Sequence, residues 1–174
     1  MSSNPTTIQS ANSNVSYGLL HGHSSETADA IREYIQAQLK SEFKTWVRIP
    51  PELWPDSWRS KGLKAPMCLL VKALYGHPES GGHWERHLTD AVKAAGGKPV
   101  DGHPSSFFFA EKGMLLTVYV DDLLLSGPTG NHKLIWQKLK DYPIEIDPSE
   151  PLSRFLGRTH VTTELAVLLS KTAF

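Results

Sequence analysis

From Ser80 to Ala95 the apolar side chains recur at helical spacing, with Trp84, Leu88, Ala91, Val92 and Ala95 on one predicted face and Gly96-Gly97 ending the run. The period then changes. Ser106 to Phe109, Met114 to Val120 and Leu123 to Ser126 read as three consecutive strands, the first two joined across Glu111-Lys112-Gly113 and the last two across Asp121-Asp122. Gly127-Pro128-Thr129-Gly130 breaks this meander, and Asn131 is placed to cap a helix reaching about Asp141, with Leu134, Ile135 and Leu139 facing inward. Upstream, Ile31, Tyr34, Ile35 and Leu39 recur at three- and four-residue steps, which fits a helix or a strand-turn-helix. Cys68 to Val71 is an apolar run suited to a buried strand. The prolines between Trp46 and Pro55 make that segment extended, running along the surface and pinned by its tryptophans. Met1 to Ser16 is rich in Ser, Asn and Thr, carries no charged side chain, and holds too little apolar bulk to offset the entropy of ordering, so it is expected to be disordered or loosely attached. Helices on one face of an antiparallel sheet make the predicted fold class α+β.

Length and charge narrow this further. A chain of 174 residues with 40% hydrophobic content can bury one core, so it is a single domain or part of a larger one. The formal net charge is +0, which removes the overall basic field expected of a free-standing nucleic-acid binder. Cys68 is the only cysteine, which excludes an intrachain disulfide and a cysteine-based zinc cluster and points to an intracellular protein, cytoplasmic or nuclear. No apolar stretch reaches the roughly 18 residues of a membrane span, and the N-terminus has neither a basic nor an apolar leader region, so neither membrane partners nor secretion are expected.

The chemistry concentrates at Tyr119-Val120-Asp121-Asp122. Two adjacent carboxylates between apolar strands repel each other and are costly to ionise there, and a cation relieves both effects. Mg2+ suits them: a hard ion that takes carboxylate oxygens and keeps positions for water and substrate phosphates. An ordinary hairpin turn with solvated aspartates accounts for the same four residues.

Further blocks accompany this one in order. Leu74-Tyr75-Gly76, Trp84, Pro104-Ser105-Ser106-Phe107, Tyr119-Val120-Asp121-Asp122-Leu123-Leu124 and Phe155-Leu156-Gly157 together resemble the reverse transcriptases of copia-type LTR retrotransposons. Asp29, followed five residues later by Tyr34 and ten later by Leu39, is similar to that family's first catalytic segment. The resemblance runs from about Asp29 to Gly157. It implies a palm domain over residues 27–160, preceded by residues 1–26 as a disordered tract or remnant of the fingers, and followed by a truncated tail, 161–174.

By that resemblance, Asp29 and Asp121 are the principal Mg2+ ligands, with Asp122 beside them, and all three are catalytic. The resemblance further implies that Tyr34 sits under the sugar of the incoming nucleotide, that Tyr75 and Gly76 pack against the template-nucleotide pair and that Tyr119 lies near the primer end; a core aromatic, a strand-to-loop turn and a strand packing residue are the plain alternatives for Tyr34, Gly76 and Tyr119. Strand alternation would turn Tyr119 and Asp121 one way, Val120 and Asp122 the other. The implied activity is RNA-directed DNA polymerisation by two-metal nucleotidyl transfer, with template-primer, deoxynucleotides and other segments of the Pol polyprotein as partners. The chain departs from the pattern in three places: it has no lysine or arginine before Arg32, it carries His77-Pro78-Glu79-Ser80-Gly81-Gly82 after Gly76, and it has too few residues after Gly157 for a thumb. These departures leave a non-catalytic, transposon-derived palm remnant, acting as a binding or interaction module, as the alternative. A different Mg2+-dependent phosphohydrolase is a third reading. His83 and His87 have the four-residue spacing of helical metal ligands, without an evident third.

Overall fold

A computed structural model describes residues 6–161. In chain order its elements are α1 (Ile8–Gly18), β1 (His23–Asp29), α2 (Glu33–Gln36), β2 (Trp46–Arg48), α3 (Asp56–Ser60), β3 (Met67–Leu69), α4 (Ser80–Ala94), β4 (Lys98–Val100), β5 (His103–Phe109), β6 (Met114–Tyr119), β7 (Asp122–Pro128), α5 (His132–Lys140), β8 (Glu150–Pro151), β9 (Arg154–Phe155) and β10 (Arg158–Thr159).

Six of the strands form one antiparallel sheet in the order β4-β5-β6-β7-β1-β8. Its centre is β7, where Leu123, Leu124 and Leu125 are fully buried because both faces of the sheet are covered. On one face Leu123, Leu125, Leu116, Val118 and Phe107 meet Trp84, Leu88 and Val92 of α4 and Ile135, Trp136 and Leu139 of α5. The helical periodicity from Ser80 onward thus becomes α4, and Gly96, at φ +98°, turns the chain out of it. In α5 the inward positions are Ile135, Trp136 and Leu139, whereas Leu134 is exposed. Asn131 occupies the N-cap position of that helix as expected but makes no side-chain capping bond; its side-chain amide instead donates to Lys112 O at 2.9 Å, tying the helix start to the β5–β6 turn.

The other face carries a helix too, which corrects the expected one-sided arrangement. Of the tract up to Ser16 expected to be disordered or loosely attached, residues 1–5 lie outside the described residues and the part from Ile8 onward belongs to α1, whose Ala11 packs with Leu124 and Phe155. Its buried face is small and polar: Ser10, Ala11, Asn14 and Gly18. Asn14 is fully buried, and its amide donates to Thr117 Oγ1 (2.8 Å), Leu124 O (3.1 Å) and Leu115 O (3.2 Å). A Cβ on Gly18 would lie 1.8 Å from Ser25 Oγ, so glycine is what lets the helix touch the sheet.

Between α2 and α4 the chain leaves this body. Gln38 bridges to Lys72 and Ala73 N–H donates to Ala37 O at 3.0 Å, so the excursion departs and returns at one place. Within it β2 pairs with β3, and residues 41–72 include no buried side chain. The run from Cys68 to Val71 is therefore not a buried strand: Leu69 and Val71 are exposed and Cys68 half-buried. Trp54 does pin its neighbourhood, donating from Nε1 to Ile49 O at 2.7 Å, while Trp46 is exposed. Of the tail 161–174 only Val161 falls within the described residues.

Candidate active site

Strand β1 brings Asp29 to the turn. The register pairs Asp29 directly with Asp122, Ala28 with Leu123 and Thr27 with Leu124, and Ala30 N–H donates to Asp121 O at 2.8 Å. Directly opposed residues share a sheet face, so the carboxyls of Asp29 and Asp122 emerge side by side on the face that also bears Leu124 and α1. The buried leucines of β7 fix this register, because a slip of one residue would put them on the wrong faces.

The turn lies one residue earlier than expected. It is made by Val120 and Asp121, with Tyr119 paired to Asp122 across the hairpin. Val120 has φ +57°, a left-handed conformation that a β-branched side chain adopts only at a cost. Trp84 of α4 holds it there, donating from Nε1 to Val120 O at 2.7 Å. Strand alternation consequently stops at Tyr119, and the orientation inferred for Asp121 from that alternation does not apply. Asp122 is a strand residue and Asp121 a turn residue.

Burial raises the carboxyl of Asp122 from its ordinary value to about 6; the charges of Asp121 and Asp29 and a hydrogen bond with Asp29 add to the rise, and Arg154 opposes it. Below that pH Asp122 is protonated and can hydrogen-bond to Asp29. Their surroundings are acidic as well. The cleft beside them, about 580 Å3, is also lined by Asp147, Glu150, Ser153 and Arg154. Asp147 N–H donates to Asp29 O at 2.9 Å, so the strand carrying Asp29 is held from both sides.

Tyr34 and Tyr75 lie on another side of the turn. Their rings meet edge to face with centroids 4.7 Å apart, and the negative charge of Asp121 helps to raise both hydroxyls, behind burial for Tyr34 and behind a hydrogen bond to Glu33 for Tyr75. Tyr34 also packs against the α4 core and, with Trp84 and Val120, lines a small cavity of about 50 Å3 beneath the hairpin. Gly76 has φ +84° with no atom within 4 Å of where a Cβ would be, so within the chain it serves a turn, closed by His77 N–H on Leu74 O. Tyr119 is exposed at the end of β6. His83 and His87 diverge: His83 is buried 3.9 Å from Glu79, and His87 Nε2 lies 3.1 Å from Pro143 O.

Neither a protein-family model nor a curated protein sequence matches the chain. The site therefore rests on its own geometry. Among the described residues no group of three or more His, Cys, Asp or Glu side chains is arranged to hold a metal ion. Asp29 and Asp122 form an oxygen-only donor pair, whose chemistry fits a hard cation that completes its shell with water and phosphate oxygens. The sequence had not pointed to Asp147, Glu150 or Arg154, whose signal is only their position before Phe155-Leu156-Gly157, nor to Glu33. Among the described residues no helix is long and apolar enough to cross a membrane.

Proposed function

We propose that this chain is the palm of an RNA-directed DNA polymerase, similar to those of copia-type LTR retrotransposons, carrying out nucleotidyl transfer with Mg2+. The observation that carries the reading is the cross-strand pair Asp29 and Asp122, far apart in sequence and adjacent at the open end of an antiparallel sheet beside the Val120-Asp121 turn. An accidental hairpin with solvated aspartates would not need a third carboxylate delivered from another strand.

In this reading Asp29 and Asp122, rather than Asp29 and Asp121, would be the principal holders of Mg2+, with the turn residue Asp121 contributing charge beside them. Bound Mg2+ supplies the polarisation of the primer 3′-hydroxyl and the neutralisation of the phosphates. The chain's own residues do the positioning. Trp84 fixes the turn, and Asp147 and β7 fix the strand bearing Asp29; Tyr34 would bound the sugar of the incoming deoxynucleotide, Tyr75, edge-on to it, would lie between that sugar and the template-nucleotide pair beside Gly76, and the exposed Tyr119 would face the primer end. Asp122 must be ionised to serve, so the site works above about pH 6.

The test is extension of a DNA primer on an RNA template with Mg2+, with and without Asp122→Asn. Extension by the wild type and its loss in the variant are expected; no extension together with no binding of template-primer would refute the proposal. The run His77-Pro78-Glu79-Ser80-Gly81-Gly82 after Gly76, which carries an acidic residue and no lysine or arginine where template contacts would be made, favours a second reading, a palm-fold module that binds but does not catalyse. Binding of template-primer that is unaffected by Asp122→Asn, without extension, would support it.

A further inference from the structure

Glu33 opens α2 directly after Arg32, whose left-handed φ of +51° swings the chain out of β1 and turns the Glu33 side chain inward. Only 5% of it is exposed. A carboxylate so placed is costly to bury unless it is hydrogen-bonded, and an apolar side chain would fill the same space at less cost. Glu33 Oε2 accepts from the Tyr75 hydroxyl at 2.5 Å. That bond joins two segments anchored independently of each other. Gln36 ties α2 to Ile31 and Glu145, and Ser80 of α4 holds both the N–H and the carbonyl of Leu74. Tyr75 itself is 56% exposed, so burial does not hold its ring, yet the ring stands edge-on to Tyr34 at 4.7 Å.

From this geometry we infer that Glu33 is a positioning residue for the nucleotide: it clamps Tyr75 against Tyr34, so that two rings rather than one bound the sugar side of the site next to Asp121. The inference rests on the polymerase reading above and deepens it. Tyr34 is set by its own packing against the core, whereas Tyr75 depends on a bond from a residue outside its loop. Selection for a deoxynucleotide is then a joint property of the Glu33, Tyr34 and Tyr75 side chains.

The experiment uses the full chain with Glu33→Ala, Glu33→Gln and Tyr75→Phe. Binding of a deoxynucleoside triphosphate and of its ribonucleotide counterpart is measured with Mg2+, and the tyrosine ring signals of the free proteins are followed by NMR against pH. Glu33→Ala is expected to weaken deoxynucleotide binding about tenfold, as for loss of one charge-assisted hydrogen bond, and to narrow the preference over the ribonucleotide. Tyr75→Phe, which keeps the ring and removes only the hydroxyl, should match it. Glu33→Gln retains an acceptor and should restore most of the binding. In the wild type Tyr75 should ionise near 12, where Glu33 holds it, and in Glu33→Ala it should fall back toward 10. Wild-type binding with both variants unchanged in affinity, preference and titration overturns this inference and leaves the polymerase reading standing. No nucleotide binding by the wild type overturns both. If Glu33→Ala does not fold, Tyr75→Phe decides.

Discussion

Replacing Asp122 with asparagine should make the protein more stable while disabling its site. The Asp122 carboxyl is raised in the folded chain from an ordinary 3.8 to about 6, by burial first and then by Asp121 and Asp29. A carboxyl whose folded pKa lies above its unfolded value contributes stability that is fully present below the unfolded value and is lost as the pH rises through the folded one. The window is therefore from about 4 to about 6. At full value the shift corresponds to about 3 kcal/mol, and solvent screening of a carboxyl that is only half-buried reduces this to about 1–2 kcal/mol. Asparagine is nearly isosteric with the protonated acid and does not ionise. Asp122→Asn should thus match the wild type near pH 4 and exceed it by about 1–2 kcal/mol near pH 8. Urea unfolding at the two pH values, compared at constant m, measures the difference and cancels every group that titrates alike in both proteins. Millimolar Mg2+ near pH 8 should close the gap, because it binds the folded wild type more tightly than the variant. An equal gain at both pH values, or none at either, would refute the argument that Asp122 is ionised at a cost against its neighbours.

Other consequences can be checked with similar means. Trp84→Phe removes the donor to Val120 O and should cost about 1–3 kcal/mol in chemical denaturation, with primer extension falling as the turn loosens. Asn14→Ala breaks three hydrogen bonds between α1 and the sheet; it should cost about 2–3 kcal/mol and raise amide exchange in α1 before the rest of the chain. Asp121→Asn should lower primer extension about a hundredfold or more and bring the tyrosine ionisations of Tyr34 and Tyr75 down, the latter seen by NMR titration. Extension by the wild type should rise as the pH passes about 6, following the ionisation of Asp122.

Which parts of this were visible in the sequence follows from what holds each part. Helix α4 and strands β5 to β7 are held by large apolar side chains at regular spacing, and those were legible. Helix α1 is held by an asparagine amide, an alanine and a glycine, so it left no hydrophobic period to read and looked like a disordered polar tract. The opposite error occurred at Cys68 to Val71, where an apolar run lies on the exposed excursion. At the hairpin, turn preferences favour aspartates over valine, yet the buried leucines of β7 and the bond from Trp84 impose the turn on Val120. That one-residue displacement moves Asp122 from the turn into the strand, opposite Asp29. The placement of Asp29 depends on a register between strands far apart in the chain, which spacing alone does not encode. Glu33 gave no signal, because its partner Tyr75 becomes a neighbour only in the folded chain.

The excursion between Gln38 and Ala73 has a consequence for how such a chain evolves. Since residues 41–72 include no fully buried side chain and meet the body at its near end, where Ser41 bonds to Glu79 and Thr45 to His77, substitution or lengthening of the arm beyond these contacts is expected to leave the sheet register and the Asp29–Asp122 pair untouched. Selection on the arm's exposed Phe43, Trp46 and Leu53 acts on residues that do not overlap those maintaining the site. The body can stay fixed while the arm diverges as a module.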